Sequence, residues 1–304
     1  IRRIAVLGPS AADPVALLGN YNGISSRQVT PLEGIERQFP AAEVRYALGA
    51  TYTAATPALV PSTFLVPPGG KAPGVLVEYF DNPDLQGEPR LRRSEPRPYF
   101  DMGMEDPAVV AAVGHEKYSV RWTATLTPPA SGEYEVTVRT GMWNWTATAR
   151  LFLDDKELTV GGGPSTQATS TQAAPGPPRR PVRVRVALEA GRPYALRVEY
   201  RQTGAGGTIQ LAWTPPADAT LSEAVALAKG SDVAVVFVGL SSELEGEEMR
   251  GVNIPGFLGG DRTSLDLPEP QENLVKALIA GGKPVVVVLT SGSAVAVRSA
   301  AEGA

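Results

Sequence analysis

A cluster of acidic side chains follows the most apolar strand-like run of the sequence. The run Val233–Val238 ends at Gly239, and shortly after it come Glu243, Glu245, Glu247 and Glu248. Crowded carboxylates repel one another, which raises the pKa of whichever one is most buried. A carboxyl group with a raised pKa can keep a proton near neutral pH and donate it. These residue types at this spacing therefore indicate general acid–base chemistry.

Cleavage of a glycosidic bond is one reaction that needs such a group. It normally uses two carboxylates, of which one protonates the departing oxygen and the other attacks the sugar carbon or activates water. The acidic cluster can supply the first of them. The residue types alone fit a solvated acidic turn at least as well. Whether the cluster is catalytic or only a solvated turn depends on the position of its loop in the fold.

The segment that carries the cluster continues to Asp261 and Arg262 without helical or strand periodicity. A loop of this length is usually either functional or disordered. It leaves the carboxyl end of a buried strand, which is where open α/β sheets bind their ligands. Its position therefore favours a functional loop.

Both ends of the chain predict α/β structure. Continuous apolar or strand-like runs occur at Ile4–Leu7, Glu43–Tyr46, Val233–Leu240 and Val285–Leu289. Helical patterns alternate with them at Pro31–Ile35, Ser222–Ala228 and Gln271–Ala280. Buried strands that alternate with helices are typical of a parallel or mixed sheet covered on both faces, an α/β sandwich.

The middle of the chain has a different pattern, which predicts an all-β sandwich or barrel. Alternation with a period of two occurs at Tyr118–Leu126, Gly132–Thr140, Thr148–Leu153, Val182–Leu188, Tyr194–Tyr200 and Thr208–Trp213. Proline-rich borders at 57–73 and 215–220 are expected where a chain leaves and re-enters a host domain. The predicted domains are therefore a discontinuous α/β domain, residues 1–72 and 217–304, and an inserted β domain, residues 73–216.

Composition excludes several classes of function. The 304 residues carry a formal net charge of −4 and no basic tract, so neither nucleic acid nor an anionic membrane is an expected partner. The chain has no cysteine and one histidine, His115, which removes thiol nucleophiles and makes histidine triads and zinc clusters improbable. We expect no metal and no cofactor. No signal peptide opens the chain, and Ile1 begins almost directly in a strand, as though cut from a longer sequence.

Two strings on either side of the β segment carry a family resemblance. VAVVFVGLSSELEGEEM with GGDRTSLDLPEPQENLVKAL, and IRRIAVLGPSAADPVALLGNYNG with VTPLEGI, resemble the C-terminal α/β-sandwich domain of glycoside hydrolase family 3, here truncated at its C-terminal end. Between them, LVEYFDNPDLQGEP, the region from YSVRWTATL to LFLDDKEL, and LRVEYRQTGAGGTIQLAWTPP resemble a protective-antigen-type β domain.

The resemblance implies part of a retaining, exo-acting β-glycosidase of the β-glucosidase or β-xylosidase type. Its substrate would be an oligosaccharide or aryl β-glycoside with a terminal non-reducing sugar. Glu245 best matches the family's acid/base residue, with Glu247 and Glu243 as alternatives. The nucleophilic aspartate would lie in an N-terminal barrel domain that this chain lacks, so we expect the isolated chain to be inactive. The resemblance implies a periplasmic or extracellular location rather than a cytoplasmic one, and leaves open the sugar, the linkage and whether the chain is a homo-oligomer.

Further residues are candidates for sugar binding. Trp143 and Trp145 lie at an apparent inter-strand tip, where aromatic faces can stack on sugar rings, although a local hydrophobic cluster fits them equally. Asp261 and Arg262 match the family's Asp-Arg pair and either bind sugar hydroxyls or form an ion pair that anchors the loop. The segment 250–259, which many relatives lack, can reposition that loop.

Other aromatic residues are predicted to be core. Trp122, Tyr134, Tyr200 and Trp213 fall on alternating strands, where single aromatic side chains usually pack inside.

An alternative function remains open at this stage. The β segment can act as a carbohydrate-binding module, or as a contact surface between domains or subunits, without taking part in catalysis.

Overall fold

The computed structural model describes residues 1–22, 28–102, 107–140, 146–158, 182–247, 249 and 252–303. Trp143, Trp145 and Glu248 lie outside the described residues, as does the whole Gly-, Pro- and Ser-rich stretch 159–181.

The strands and helices follow the order of the sequence patterns. The strands are β1 (Arg3–Leu7), β2 (Glu43–Ala47), β3 (Ala58–Leu59), β4 (Leu65–Val66), β5 (Val75–Phe80), β6 (Leu91–Glu95), β7 (Tyr99–Asp101), β8 (Ser119–Leu126), β9 (Gly132–Thr140), β10 (Ala147–Leu153), β11 (Lys156–Glu157), β12 (Val182–Leu188), β13 (Tyr194–Gln202), β14 (Thr208–Thr214), β15 (Val233–Gly239), β16 (Asn253–Ile254), β17 (Phe257–Leu258), β18 (Asp261–Arg262) and β19 (Val285–Thr290). The helices are α1 (Pro31–Gln38), α2 (Pro107–Val113), α3 (Ala217–Lys229), α4 (Glu269–Ala280) and α5 (Arg298–Gly303).

A four-stranded parallel sheet joins the two ends of the chain. Its strand order is β19-β15-β1-β2, so β1 near the amino terminus pairs with β15, more than two hundred residues later. Small and apolar side chains of α3 and α4 cover one face, on a core that includes Leu7, Ala224 and Leu274. The helix α1 covers the other face, where Leu32 packs with Val6. The predicted α/β pattern is confirmed as a mixed α/β fold.

The helix α1 begins where the sequence provides a capping box. The Thr30 hydroxyl accepts from the Glu33 N–H, the Glu33 carboxylate accepts from the Thr30 N–H, and Pro31 occupies the first turn. These contacts satisfy two backbone donors that the helix itself leaves unpaired.

The middle of the chain forms two antiparallel sheets that share one hydrophobic core. One sheet has the order β11-β10-β13-β8-β5-β6 with β4 added to β8, and the other has the order β12-β9-β14-β3 with β7 added to β14. Trp122, Tyr134, Tyr200 and Trp213 are all buried in this core, as predicted. Asp154 and Asp155 both have positive φ and form the two-residue turn between β10 and β11.

The border between the two kinds of structure has one unexpected feature. Two short strands before the predicted border at residue 73 belong to the antiparallel sheets. They are β3, which pairs with β14, and β4, which pairs with β8. The predicted division into a host domain and an inserted β domain stays a prediction.

The loop after β15 is more regular than its sequence suggests. β16, β17 and β18 form a small antiparallel sheet within it. Strands of two residues are too short to produce a recognisable alternation, which is why the pattern indicated an aperiodic loop. In the described ranges, no helix has the length and apolar character needed to cross a bilayer.

Candidate active site

Three loops at the carboxyl edge of the parallel sheet enclose a cleft of about 670 Å³. Residues 16 and 18–20 come from the loop after β1, residues 240–242, 245–247 and 260–262 from the loop after β15, and residues 290–293 from the end of β19 and its loop. The three strands are neighbours in the sheet, so their carboxyl ends bring these loops together.

Glu245 lines this cleft and is partly buried. The Ser293 hydroxyl donates to its Oε2 at 3.0 Å. The Asn20 side-chain amide donates to its backbone carbonyl at 2.8 Å. Both neighbouring loops therefore hold the residue, one through the side chain and one through the backbone.

The other described glutamates of the cluster have different partners. Glu243 forms an ion pair with Arg139 of β9, with 2.6 Å between Oε2 and Nη1. Glu247 is exposed and accepts a hydrogen bond from the Tyr21 phenol. The Glu243 carboxylate thus binds a cation from the two antiparallel sheets, which we call the antiparallel part of the chain. Glu245 instead lines the cleft, where the Ser293 hydroxyl binds its carboxylate and the Asn20 amide binds its backbone carbonyl.

Arg262 joins the loop after β15 to the loop after β19. Its guanidinium donates to the carbonyl oxygens of Ala294 and Asp266 and, at 3.3 Å, to the Ser293 hydroxyl. The arginine thus anchors the loop through these oxygens rather than through the Asp261 carboxylate. Asp261 is exposed and, like Arg262, lines the cleft.

Gln271 of α4 fixes the point at which the acidic loop leaves β15. Its Oε1 accepts from the Gly239 N–H at 2.7 Å, and its Nε2 donates to the carbonyl oxygens of Gly239 and Tyr52, both at 2.9 Å. The side chain is fully buried, so no solvent can replace these hydrogen bonds. The sequence pattern identified Gln271 only as the start of a helix.

Asp13 is a buried residue of the loop after β1 that was not identified from the sequence. Its carboxylate accepts from the Val15 N–H at 2.9 Å and from the Tyr52 hydroxyl at 3.0 Å. Burial, followed by the negative charge of Glu243, raises its pKa to about 6. The one available signal was its place between a strand and Pro14, which is typical of a turn in which aspartate binds a following N–H.

Ser293 and Asn20 were also missed. Each lies far along the chain from Glu245, by 48 and 225 residues respectively, and a short polar residue in a loop carries no distinctive pattern. Among the described residues, no group of three or more His, Asp or Glu side chains is arranged to hold a metal ion.

The chain is similar to known proteins along nearly its whole length. The family model for the glycosyl hydrolase family 3 C-terminal domain matches residues 1–304. The chain is 29% identical to a xylan 1,4-β-xylosidase of Xylanibacter ruminicola over 302 residues, which is 99% of this chain and 32% of that protein. It is also 29% identical to a β-glucosidase of Rhizobium radiobacter over 300 residues, which is 95% of this chain and 32% of that protein.

A solved structure shares the fold. The β-glucosidase of Kluyveromyces marxianus, crystallised in complex with glucose, superposes with a TM-score of 0.58 at 22% identity, covering 99% of this chain and 35% of that one. The chain therefore spans about a third of the length of the relatives that it matches. Because the family model matches its whole length, the chain belongs to the glycosyl hydrolase family 3 C-terminal domain family.

Proposed function

We propose that this chain supplies the general acid/base, Glu245, to a retaining, exo-acting β-glycosidase of the β-glucosidase or β-xylosidase type. Its family and its relatives, a β-xylosidase and a β-glucosidase, support the reaction class. The aspartate nucleophile belongs to a barrel domain outside these residues. The open side of the cleft is where that domain and the terminal sugar would approach.

One observation carries the assignment of Glu245. Its carboxylate lies in the cleft with Oε2 bound to the Ser293 hydroxyl at 3.0 Å, which leaves Oε1 available to a reacting group. Glu243, by contrast, directs its carboxylate at Arg139 of β9 and is not one of the residues that line the cleft.

The proposed chemistry has two steps. In the first, Glu245 gives its proton to the glycosidic oxygen as the nucleophile attacks the sugar carbon. In the second, the resulting Glu245 carboxylate takes a proton from the water that releases the sugar. A retaining pair of carboxyl groups lies about 5–5.5 Å apart, so the approaching domain must bring its aspartate to within that distance of the cleft.

Four further residues are proposed to bind the sugar. Asp261 and Arg262 line the same cleft as Glu245, and the Asp261 carboxylate is a suitable acceptor for sugar hydroxyls. Trp143 and Trp145 are proposed to stack on sugar rings.

The test compares leaving groups in the full-length enzyme. Glu245→Gln should lower kcat/KM for phenyl β-glycosides by about 10²–10⁴-fold, because phenolate needs protonation as it leaves. The same variant should keep most of its kcat/KM on 2,4-dinitrophenyl β-glycosides, whose leaving group needs no acid. Azide, which attacks the glycosyl enzyme without a general base, should raise kcat on the dinitrophenyl substrate.

Matched variants decide which glutamate has the role. Glu247→Gln and Glu243→Gln are measured with the same substrates, and the acid/base is the residue whose amide variant gives both the leaving-group dependence and the azide effect. Glu88→Gln, an exposed glutamate of the antiparallel part, controls for loss of charge. Near-normal activity of Glu245→Gln on phenyl glycosides would exclude the assignment to Glu245, and near-normal activity of all three amide variants would favour a non-catalytic, carbohydrate-binding role.

A further inference from the structure

We infer that Arg139, from the antiparallel part of the chain, is a positioning residue for Glu245 and acts through its ion pair with Glu243. The inference rests on the proposed function of Glu245. It gives the antiparallel part a role in catalysis that does not depend on its binding sugar.

The ion pair lies between the two kinds of sheet. Arg139 is the penultimate residue of β9, and Glu243 lies in the loop after β15. The distance of 2.6 Å between Nη1 and Oε2 is that of a strong, charge-assisted hydrogen bond. Both side chains are largely shielded, with 30% and 22% of their surface exposed, so solvent screens the pair less than it would on an open surface.

A tight turn connects Glu243 to Glu245. The N–H groups of Leu244 and Glu245 both donate to the carbonyl oxygen of Ser241, at 3.0 and 3.2 Å. The Leu244 side chain is buried against Tyr52 and Phe257. Since these hydrogen bonds close a single turn from Ser241 to Glu245, the position of Glu243 is coupled to that of Glu245.

Arg139 also compensates a second carboxylate. Asp13 feels both the negative charge of Glu243 and the positive charge of Arg139. Tyr46, Tyr52 and Tyr99 are further titratable groups near these carboxylates. Burial raises the pKa of each, the charge of Asp13 raises it further in all three, and the charge of Glu243 does so in Tyr52 and Tyr99. Without Arg139 the carboxylates of Asp13 and Glu243 would repel each other. Glu243, in the loop after β15, would then be free to move toward solvent.

The experiment uses the leaving-group comparison in the full-length enzyme, with phenyl and 2,4-dinitrophenyl β-D-glucosides and β-D-xylosides as probes. Arg139→Gln should lower kcat/KM for the phenyl glycoside on the order of 10–100-fold, since a small misplacement of a catalytic group has effects of that size. The dinitrophenyl glycoside should be little affected. Arg139→Lys, which keeps the charge, should recover part of the loss.

Two further variants separate positioning from general damage. The double variant Arg139→Glu with Glu243→Arg restores the ion pair in reverse and should recover activity that Arg139→Glu alone loses. Arg97→Gln removes another link between the two parts, the ion pair of Arg97 with Glu33 of α1, without a contact to the acidic loop. It should leave the ratio of the two substrates unchanged.

The outcomes are distinguishable. An equal loss on both substrates, or no loss on either, in Arg139→Gln overturns the inference. If Glu245→Gln shows the leaving-group dependence and the Arg139 variants do not, the inference fails and the proposed function stands. If Glu245→Gln shows no such dependence, both are overturned. Should Arg139→Gln fold poorly, the substrate ratio of Arg139→Lys decides in the same way.

Discussion

Asp13, in the loop after β1, is a carboxylate whose ionisation is shifted by its surroundings. Its side chain is buried and feels the negative charge of Glu243. Burial and the Glu243 charge together raise its pKa from 3.8 to about 6, although the Val15 N–H, the Tyr52 hydroxyl and the Arg139 charge act in the opposite direction. Burial dominates because the hydrogen bonds replace only part of the water that the carboxylate loses.

The raised pKa of Asp13 makes stability depend on pH. Between pH 3.8 and about 6 the folded protein keeps the Asp13 proton while the unfolded chain loses it, so stability falls as pH rises through this interval. The difference in pKa corresponds to about 3 kcal/mol. Asp13→Asn cannot titrate, so its free energy of unfolding relative to the wild type should increase between about pH 4 and pH 7. Denaturant titrations across this range measure it, and parallel profiles for the two proteins would contradict the expectation.

At the scale of elements, glycine sets the ends of the strands that carry the site. Gly239 closes β15 with φ of +140°, and a Cβ placed there would lie 1.9 Å from the Thr290 carbonyl oxygen on β19. Gly8, directly after β1, has φ of +99°, and its Cβ would lie 2.0 Å from the Phe237 carbonyl oxygen on β15. The close approach of neighbouring strand ends, which brings the three loops together, therefore requires residues without a side chain.

Gly239→Ala should destabilise the protein on the order of 3 kcal/mol, because it combines backbone strain with a clash against a fixed carbonyl. Gly34→Ala is the matched control. Gly34 lies in α1 with open space around its Cα, and alanine there should stabilise the helix by about 0.5–1 kcal/mol. Thermal or chemical unfolding of both variants measures the contrast, and a mild effect of Gly239→Ala would mean that β15 and β19 can separate at this point.

At the scale of the whole molecule, two structurally different parts meet at charged side chains. The Arg97–Glu33 pair joins the antiparallel part to α1, and the Arg139–Glu243 pair joins it to the acidic loop. The parallel sheet provides the cleft, and in our proposal the antiparallel part holds its central loop in place. In the same proposal, the carboxylate that reacts opposite Glu245 comes from a domain outside these residues.

We therefore expect purified residues 1–304 to be inactive on aryl β-glycosides. Glu245 cannot form the glycosyl enzyme without the nucleophilic aspartate. The kcat should therefore lie at least on the order of 10⁴-fold below that of the full-length enzyme. Release of nitrophenol from 4-nitrophenyl β-glycosides measures it, with the full-length protein as positive control. Turnover by the pure chain that Glu245→Gln abolishes would show that the nucleophile lies within these residues.

The sequence by itself determined much of the local structure and the family. Runs such as Val233–Val238 predicted the parallel strands, and Trp122, Tyr134, Tyr200 and Trp213 were predicted to be core, because periodic burial leaves a local pattern. The two strings that resemble glycoside hydrolase family 3 indicated a glycosidase and identified the acidic loop as its candidate catalytic segment. The family model over residues 1–304 confirms the family.

Only the tertiary structure decided what surrounds the loop. The contacts of Glu243 with Arg139, and of Glu245 with Asn20 and Ser293, join residues 104, 225 and 48 positions apart. Such contacts leave no periodic signal, because they depend on strand order in the sheet rather than on neighbouring residues. The same holds for the burial of Asp13, since the desolvation that raises its pKa exists only once the loops have packed over it.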